Sequence, residues 1–90
     1  MNTQKHIDRI ARITDANKLV AYRGNATRLE AFELIPHIDA RAIELALLAN
    51  PSAADSGLVP EVKWLEEYER DGSYVTAHYQ TYWVDARKAS

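Results

Sequence analysis

The sequence predicts a small α+β domain, residues 1–90, in which an antiparallel β-sheet packs against helices at about residues 3–15 and 39–50. Three observations carry that expectation. Ile7, Ile10 and Ile13 recur at helical spacing near the amino terminus, "DARAIELALLAN" is a run of strong helix formers, and the last third folds about Asp71-Gly72 in one register that sorts its apolar residues to one side.

Taken in order, Thr3 is the expected cap of the first helix. Lys5, Arg9 and Arg12 fall on a different face from the isoleucines and make a basic stripe, and the helix should end near Asp15 to Asn17. Residues 18–34 allow two readings. A turn at Gly24-Asn25 gives a hairpin of 18–23 with 26–34, setting Val20 opposite Leu29 and Tyr22 opposite Thr27. Alternatively Thr27 and Glu30 form a capping box for a helix that Pro36 stops. The hairpin is preferred, because an isolated carboxy-terminal hairpin is marginal in water and further strands would support it.

The helix at 39–50 is expected to start on Asp39 as N-cap and to end at Asn50-Pro51. Its only charges are Arg41 and Glu44, so Ile43, Leu45, Leu47 and Leu48 would cover most of its circumference and make it the centre of the core. "NPSAADSGLVP" reads as an exposed loop.

The carboxy-terminal hairpin is predicted at about 62–69 and 73–84, turned by Asp71-Gly72 as a type I′ pair. The core face collects Val62, Trp64, Glu66 and Tyr68 with Val75, Ala77, Tyr79, Thr81 and Trp83. The opposite face collects Glu61, Lys63, Leu65, Glu67 and Glu69 with Tyr74, Thr76, His78, Gln80 and Tyr82. A helix over Pro60 to Arg70 with Gly72 behind it is the competing reading, whereas residues 73–84, rich in Tyr, Val, Thr and Trp, are strand in both.

Net charge is −2, with seven Lys/Arg and five Asp/Glu in residues 1–41 against four and eight in 42–90, a polarised surface and not a nucleic-acid clamp. There is no cysteine, which removes disulfides, thiolate metal sites and thiol catalysis. Neither a membrane span nor a secretory leader is evident, "MNTQKHIDRIARI" lacking an uninterrupted apolar segment, and a cytoplasmic location is expected.

"HID" occurs at His6 and again at His37. His-x-Asp on a strand, with His78 as a third donor, would suit a metal. The second triplet is better explained by Asp39 as a cap with Ile38 stapled to Ile43, and the first matches it poorly, so two unrelated helix-starting features are expected and no metal site. Glycine-rich phosphate loops are absent. Serines 52, 56, 73 and 90 lack a nucleophile elbow, and adjacent Glu66 and Glu67 would face opposite ways on a strand. No catalytic, cofactor-binding or metal-binding residue is therefore assigned, and the expectation is a protein that is not an enzyme.

Six of the eight aromatic residues lie between Trp64 and Trp83. Trp64, Tyr79 and Trp83 are expected in the core, while Tyr74, Tyr82 and His78 beside Glu61, Glu67 and Glu69 compose a surface suited to another protein, tyrosine being favoured at interface hot spots. The expected function is thus protein binding as an inhibitor, adaptor or complex subunit, in the style of phage or mobile-element proteins that block host machinery. The alternative is a nucleic-acid-associated regulator using Lys5, Arg9 and Arg12. A homodimer formed by pairing edge strands is compatible with both.

Overall fold

The computed structural model describes residues 3–87; Ser90 and the first two residues of "MNTQKHIDRIARI" lie outside the described residues. Helix α1 (Thr3–Arg12) buries Ile10 and packs Ile7 and Ile13 partly against the core, as the three-residue spacing requires. It ends three residues earlier than expected because Asp15 starts the next helix: its Oδ1 accepts from the Asn17 backbone N–H at 2.9 Å.

Residues 18–34 form neither the preferred hairpin nor a helix opened by Thr27. Helix α2 spans Ala16–Arg28, with Gly24 and Asn25 inside it. Leu19, Tyr22, Arg23 and Ala26 recur at i, i+3, i+4 and i+7, and this stripe faces the core, with Leu19 and Ala26 buried. Once Asp15 caps the segment, helical periodicity outweighs the turn tendency of Gly-Asn. Thr27 closes α2, its hydroxyl donating to the Arg23 carbonyl at 3.0 Å. The helix ends in a Schellman turn: Ala31 N–H donates to Ala26 O at 2.8 Å and Glu30 N–H to Thr27 O at 3.1 Å, with Glu30 at φ 57°.

A short 3₁₀ turn (Phe32–Leu34) leads into α3 (Ile35–Ala49). Pro36 sits in the first turn of α3 instead of stopping a preceding helix, since the first N–H groups of a helix lack intrahelical acceptors anyway. Asp39 is consequently an interior residue and not an N-cap, and both HID triplets lie within helices. Nor is α3 covered on most sides. Ile38 and Ala42 are buried, but Ile43, Leu47 and Leu48 are exposed, Leu48 at 70 %. Of the expected loop at 50–60, Pro51–Asp55 form a short helix, α4, Gly57 turns the chain at φ 78°, and residues 58–60 already belong to a strand.

Strands β1 (Leu58–Tyr68) and β2 (Tyr74–Asp85) form a two-stranded antiparallel sheet, so residues 61–68 are strand and not helix. From Leu58↔Asp85 to Glu67↔Thr76 the register is the expected one. Val62 and Tyr79 pack against the helical core and Ala77 is buried, so the expected core face is the inner one over this stretch, whereas Glu66, Tyr68 and Val75, expected on the same face, are exposed. The turn differs. Gly72 N–H donates to Glu69 O at 2.9 Å and Glu69 N–H to Ser73 O at 2.8 Å; Gly72 alone in the turn has positive φ, at 90°. This is a three-residue connection with glycine in the left-handed position, not a type I′ pair. Pairing therefore begins as Tyr68↔Tyr74, and Val75 is the extra residue that restores the register at Glu67↔Thr76.

Glu30 occupies a left-handed position that costs a residue bearing a Cβ roughly 1–2 kcal/mol. Because glycine also loses more backbone entropy on folding, Glu30→Gly should raise stability by about 0.5–1 kcal/mol, read by urea unfolding of both proteins.

Candidate functional site: the carboxy-terminal hairpin

The hairpin is fastened to the helices at one polar junction. Asp39 Oδ1, on α3, accepts from Arg23 Nε of α2 at 3.1 Å and from the Tyr79 hydroxyl of β2 at 2.7 Å. The same guanidinium lies over the Trp64 ring of β1, 4.4 Å from its centroid, and Trp64 meets Tyr79 edge-on at 5.1 Å. Four elements thereby meet at one junction, two of them donating to the carboxylate of a third. Burial, then the hydrogen bond to Asp39, pushes the Tyr79 hydroxyl well above the usual phenol range.

Beyond this junction the hairpin extends past the helices: residues 66–76 are exposed on both faces. On the face away from the helices, Glu61 stands opposite Tyr82, Lys63 opposite Gln80, Leu65 opposite His78 and Glu67 opposite Thr76. Tyr82 is 45 % exposed and Leu65 36 %, and His78 is half-buried between its neighbours. Lys63 Nζ is 3.6 Å from Glu61 Oε1 and 5.5 Å from the Tyr82 ring centroid, exposed contacts that orient the side chains and add little stability.

Four of the six residues expected to bind a partner, Glu61, Glu67, His78 and Tyr82, are thus brought together. Glu69 follows the end of β1, in the connection, where its backbone N–H donates to Ser73 O and its carbonyl accepts from Gly72 N–H. Tyr74 lies on the opposite face. The extra residue at Val75 inverts its side, and its ring meets Tyr68 edge-on at 6.0 Å. Tyr68 in turn donates to Glu66 Oε2, and Trp64 Nε1 donates to Glu66 Oε1 at 2.8 Å. These two bonds, that from Tyr68 foremost, hold the Glu66 carboxyl below its usual range, and the Tyr68 hydroxyl is correspondingly raised. This tip cluster was not legible in the sequence, where the one signal for it was that Asp-Gly also suits a three-residue connection.

The other singled-out residues are dispersed. Lys5, Arg9 and Arg12 are exposed along α1, leaving the basic stripe intact. His6 Nδ1 and the Tyr22 hydroxyl share a 2.5 Å hydrogen bond, Asp8 accepts from Gln4 at 3.0 Å, and His37 is exposed. Among the described residues, no three His, Cys, Asp or Glu side chains converge as a metal site would require. Likewise among them, no helix is long and apolar enough to cross a membrane. Comparison with known proteins finds no matching family model, no matching curated protein and no matching solved structure.

The Tyr79 proton is held more tightly in the folded chain than in the unfolded one. Its contribution is therefore complete below the unfolded phenol pKa, about 10, and is lost as pH rises beyond it. Tyr79→Phe should cost about 1 kcal/mol at neutral pH, the carboxylate being part-exposed, and should reduce the alkaline loss of stability. Urea unfolding of both proteins at neutral pH and above about pH 10 measures the two effects.

Proposed function

We propose that this chain is a non-enzymatic protein-binding module, acting as an inhibitor, adaptor or complex subunit, whose docking surface is the outer face of the β1–β2 hairpin. The observation that supports this most is the bareness of that face. The helices pack against one side of the sheet at Val62 and Tyr79, while Leu65 and Tyr82 stand exposed on the other among Glu61, Lys63, Glu67 and His78.

Charge defines the partner's chemistry. Residues 58–85 hold six carboxylates, at 61, 66, 67, 69, 71 and 85, against Lys63 and Arg70, a net of −4. The described residues before them, 3–57, balance at seven of each sign. A surface of this kind favours a cationic partner with an apolar recess for Tyr82 and Leu65, the charges speeding encounter and the rings supplying affinity. The second reading, nucleic-acid association through Lys5, Arg9 and Arg12, is supported by the exposed stripe on α1 but draws on only ten residues of helix, with Asp8 among them.

Tyr82→Ala combined with Leu65→Ser should weaken partner capture from a lysate of the source cell by at least about 100-fold, with unchanged circular dichroism. Tyr74→Ala, on the opposite face, should leave capture intact. Equal capture by wild type and the double variant would refute the outer face as the docking surface. A salt-sensitive mobility shift of nucleic acid, lost on replacing Lys5, Arg9 and Arg12 with Gln, would favour α1 instead.

A further inference from the structure

A sheet of two strands has two edges, and the backbone pattern shows what each presents. Ala86 N–H donates to Gly57 O at 2.9 Å, which places these two residues among the pairs that bond across the hairpin. The register then runs unbroken from Leu58↔Asp85 to Glu67↔Thr76, so residues 59, 61, 63, 65 and 67 bond to 84, 82, 80, 78 and 76. The residues between them turn their N–H and C=O groups outward. On β1 the outward set is Leu58, Pro60, Val62, Trp64 and Glu66; on β2 it is Ala77, Tyr79, Thr81 and Trp83. Among the described residues, no backbone or side-chain group bonds to the outward groups of 77, 79, 81 and 83.

The two edges are guarded differently. Soluble proteins protect a strand edge with proline and charge, and β1 has both. Pro60 stands at an outward position, where it has no N–H to offer, and Glu61, Lys63, Glu66 and Glu67 accompany it. β2 has neither. From Tyr74 to Val84 there is no Asp, Glu, Lys, Arg, Pro or Gly, and the run is rich in the aromatic and β-branched residues that suit strands. The irregular pairing next to Tyr74 lies outside the outward stretch 77–83.

We infer that the β2 edge is the seat of a two-fold self-association, in which β2 of a second copy of this chain pairs with it antiparallel and makes a four-stranded sheet. The occupant of this edge has to be an extended, uncharged strand whose own outward groups are unbonded, and β2 itself is such a strand. Closure selects the same arrangement. Joining β2 to β1 of another copy would leave one edge of each kind open and continue into a fibre, whereas joining β2 to β2 ends the sheet on both sides with the guarded β1 edge. Charge permits it: the carboxylates at 61, 66 and 67 lie on β1, and the two β1 strands would stand three strand spacings apart, about 14 Å, beyond the screening length of about 8 Å at physiological salt. One register uses all four outward residues. Centred on Gln80, it pairs Ala77 with Trp83 and Tyr79 with Thr81 of the other copy. Four pairs exchanging two bonds each give about eight hydrogen bonds, within the roughly 5–15 of a typical interface. On the core side the smallest of these side chains opposes the largest, and on the outer face His78 opposes Tyr82. The pairing occupies the edge of β2 and stands whether or not the outer face binds a partner.

The test is sedimentation equilibrium of the whole chain beside amide hydrogen exchange by NMR, at about 20 µM and about 1 mM. At the higher concentration the weight-average mass should rise towards that of a dimer. The Ala77, Tyr79, Thr81 and Trp83 amides should then exchange at least about tenfold more slowly, while those of Val62, Trp64 and Glu66 keep their rates. Gln80→Glu sets a carboxylate opposite Lys63 within its own hairpin, which favours the fold, and opposite the same carboxylate across the two-fold axis, which opposes the pairing. This variant should stay monomeric at the higher concentration with unchanged circular dichroism. Three results would overturn the inference: a wild-type chain still monomeric at the higher concentration, slowed exchange at 62, 64 and 66 in place of 77–83, or dimerisation undiminished in Gln80→Glu.

Discussion

A two-stranded sheet cannot hold its own shape in water, and the rest of this structure depends on how the hairpin is fastened to the helices. Apolar packing supplies part of the attachment, through Val62 and Tyr79. The Asp39 junction supplies direction. A carboxylate that accepts from both α2 and β2, with the Arg23 guanidinium stacked on β1, fixes the angle at which the sheet meets the helix pair. Non-directional burial alone would allow the sheet to slide. Because the Asp39 side chain is 43 % exposed, its ion pair is screened by water, and the junction is worth more as a positioning device than as a source of stability.

The core makes such a device necessary. Of the eight buried apolar residues among those described, four are alanines, at 26, 31, 42 and 77. Small side chains let α2, α3 and the sheet approach closely, but each removes little apolar surface from water. A chain of this length already buries a modest fraction of its unfolded surface. The consequence is visible on α3. Its inner stripe of Ile38, Ala42 and Leu45 is taken up by the core, and its outer residues Ile43, Leu47 and Leu48 face solvent. This chain has too little mass to cover both sides of a helix that is apolar nearly all round.

The hairpin then acts as an arm. Near the junction it is held on one face; past it, residues 66–76 leave the body, and the extra residue at Val75 twists the tip so that Tyr68 and Tyr74 share a side. A single inserted residue thereby divides the tyrosines between two surfaces: Tyr82 with the outer carboxylates, and Tyr68 and Tyr74 with Glu66 at the tip. That division bears directly on recognition, since a docking partner on the outer face meets one of these rings and not the other two.

Local periodicity determined a large part of this protein from sequence alone. Ile7, Ile10 and Ile13 defined α1, the run through residues 40–49 defined the body of α3, and alternation from Val62 to Trp83 defined the hairpin's register and both of its faces up to Glu67, because a shift of one residue would have exchanged them. Short-range signals of similar strength competed wherever the outcome was hidden. Gly24-Asn25 suits a turn and is tolerated in a helix, Asp39 suits a cap and an interior ion pair, and Asp71-Gly72 suits a two- or a three-residue connection. Tertiary structure decided each of these through partners far away in the chain. Asp39 finds Arg23 sixteen residues before it and Tyr79 forty after it, and α2 becomes a helix because its 19–22–26 stripe has a core to face. Contacts between distant residues leave no periodic trace in the segments that make them, so the junction and the tip cluster belong to the fold in space.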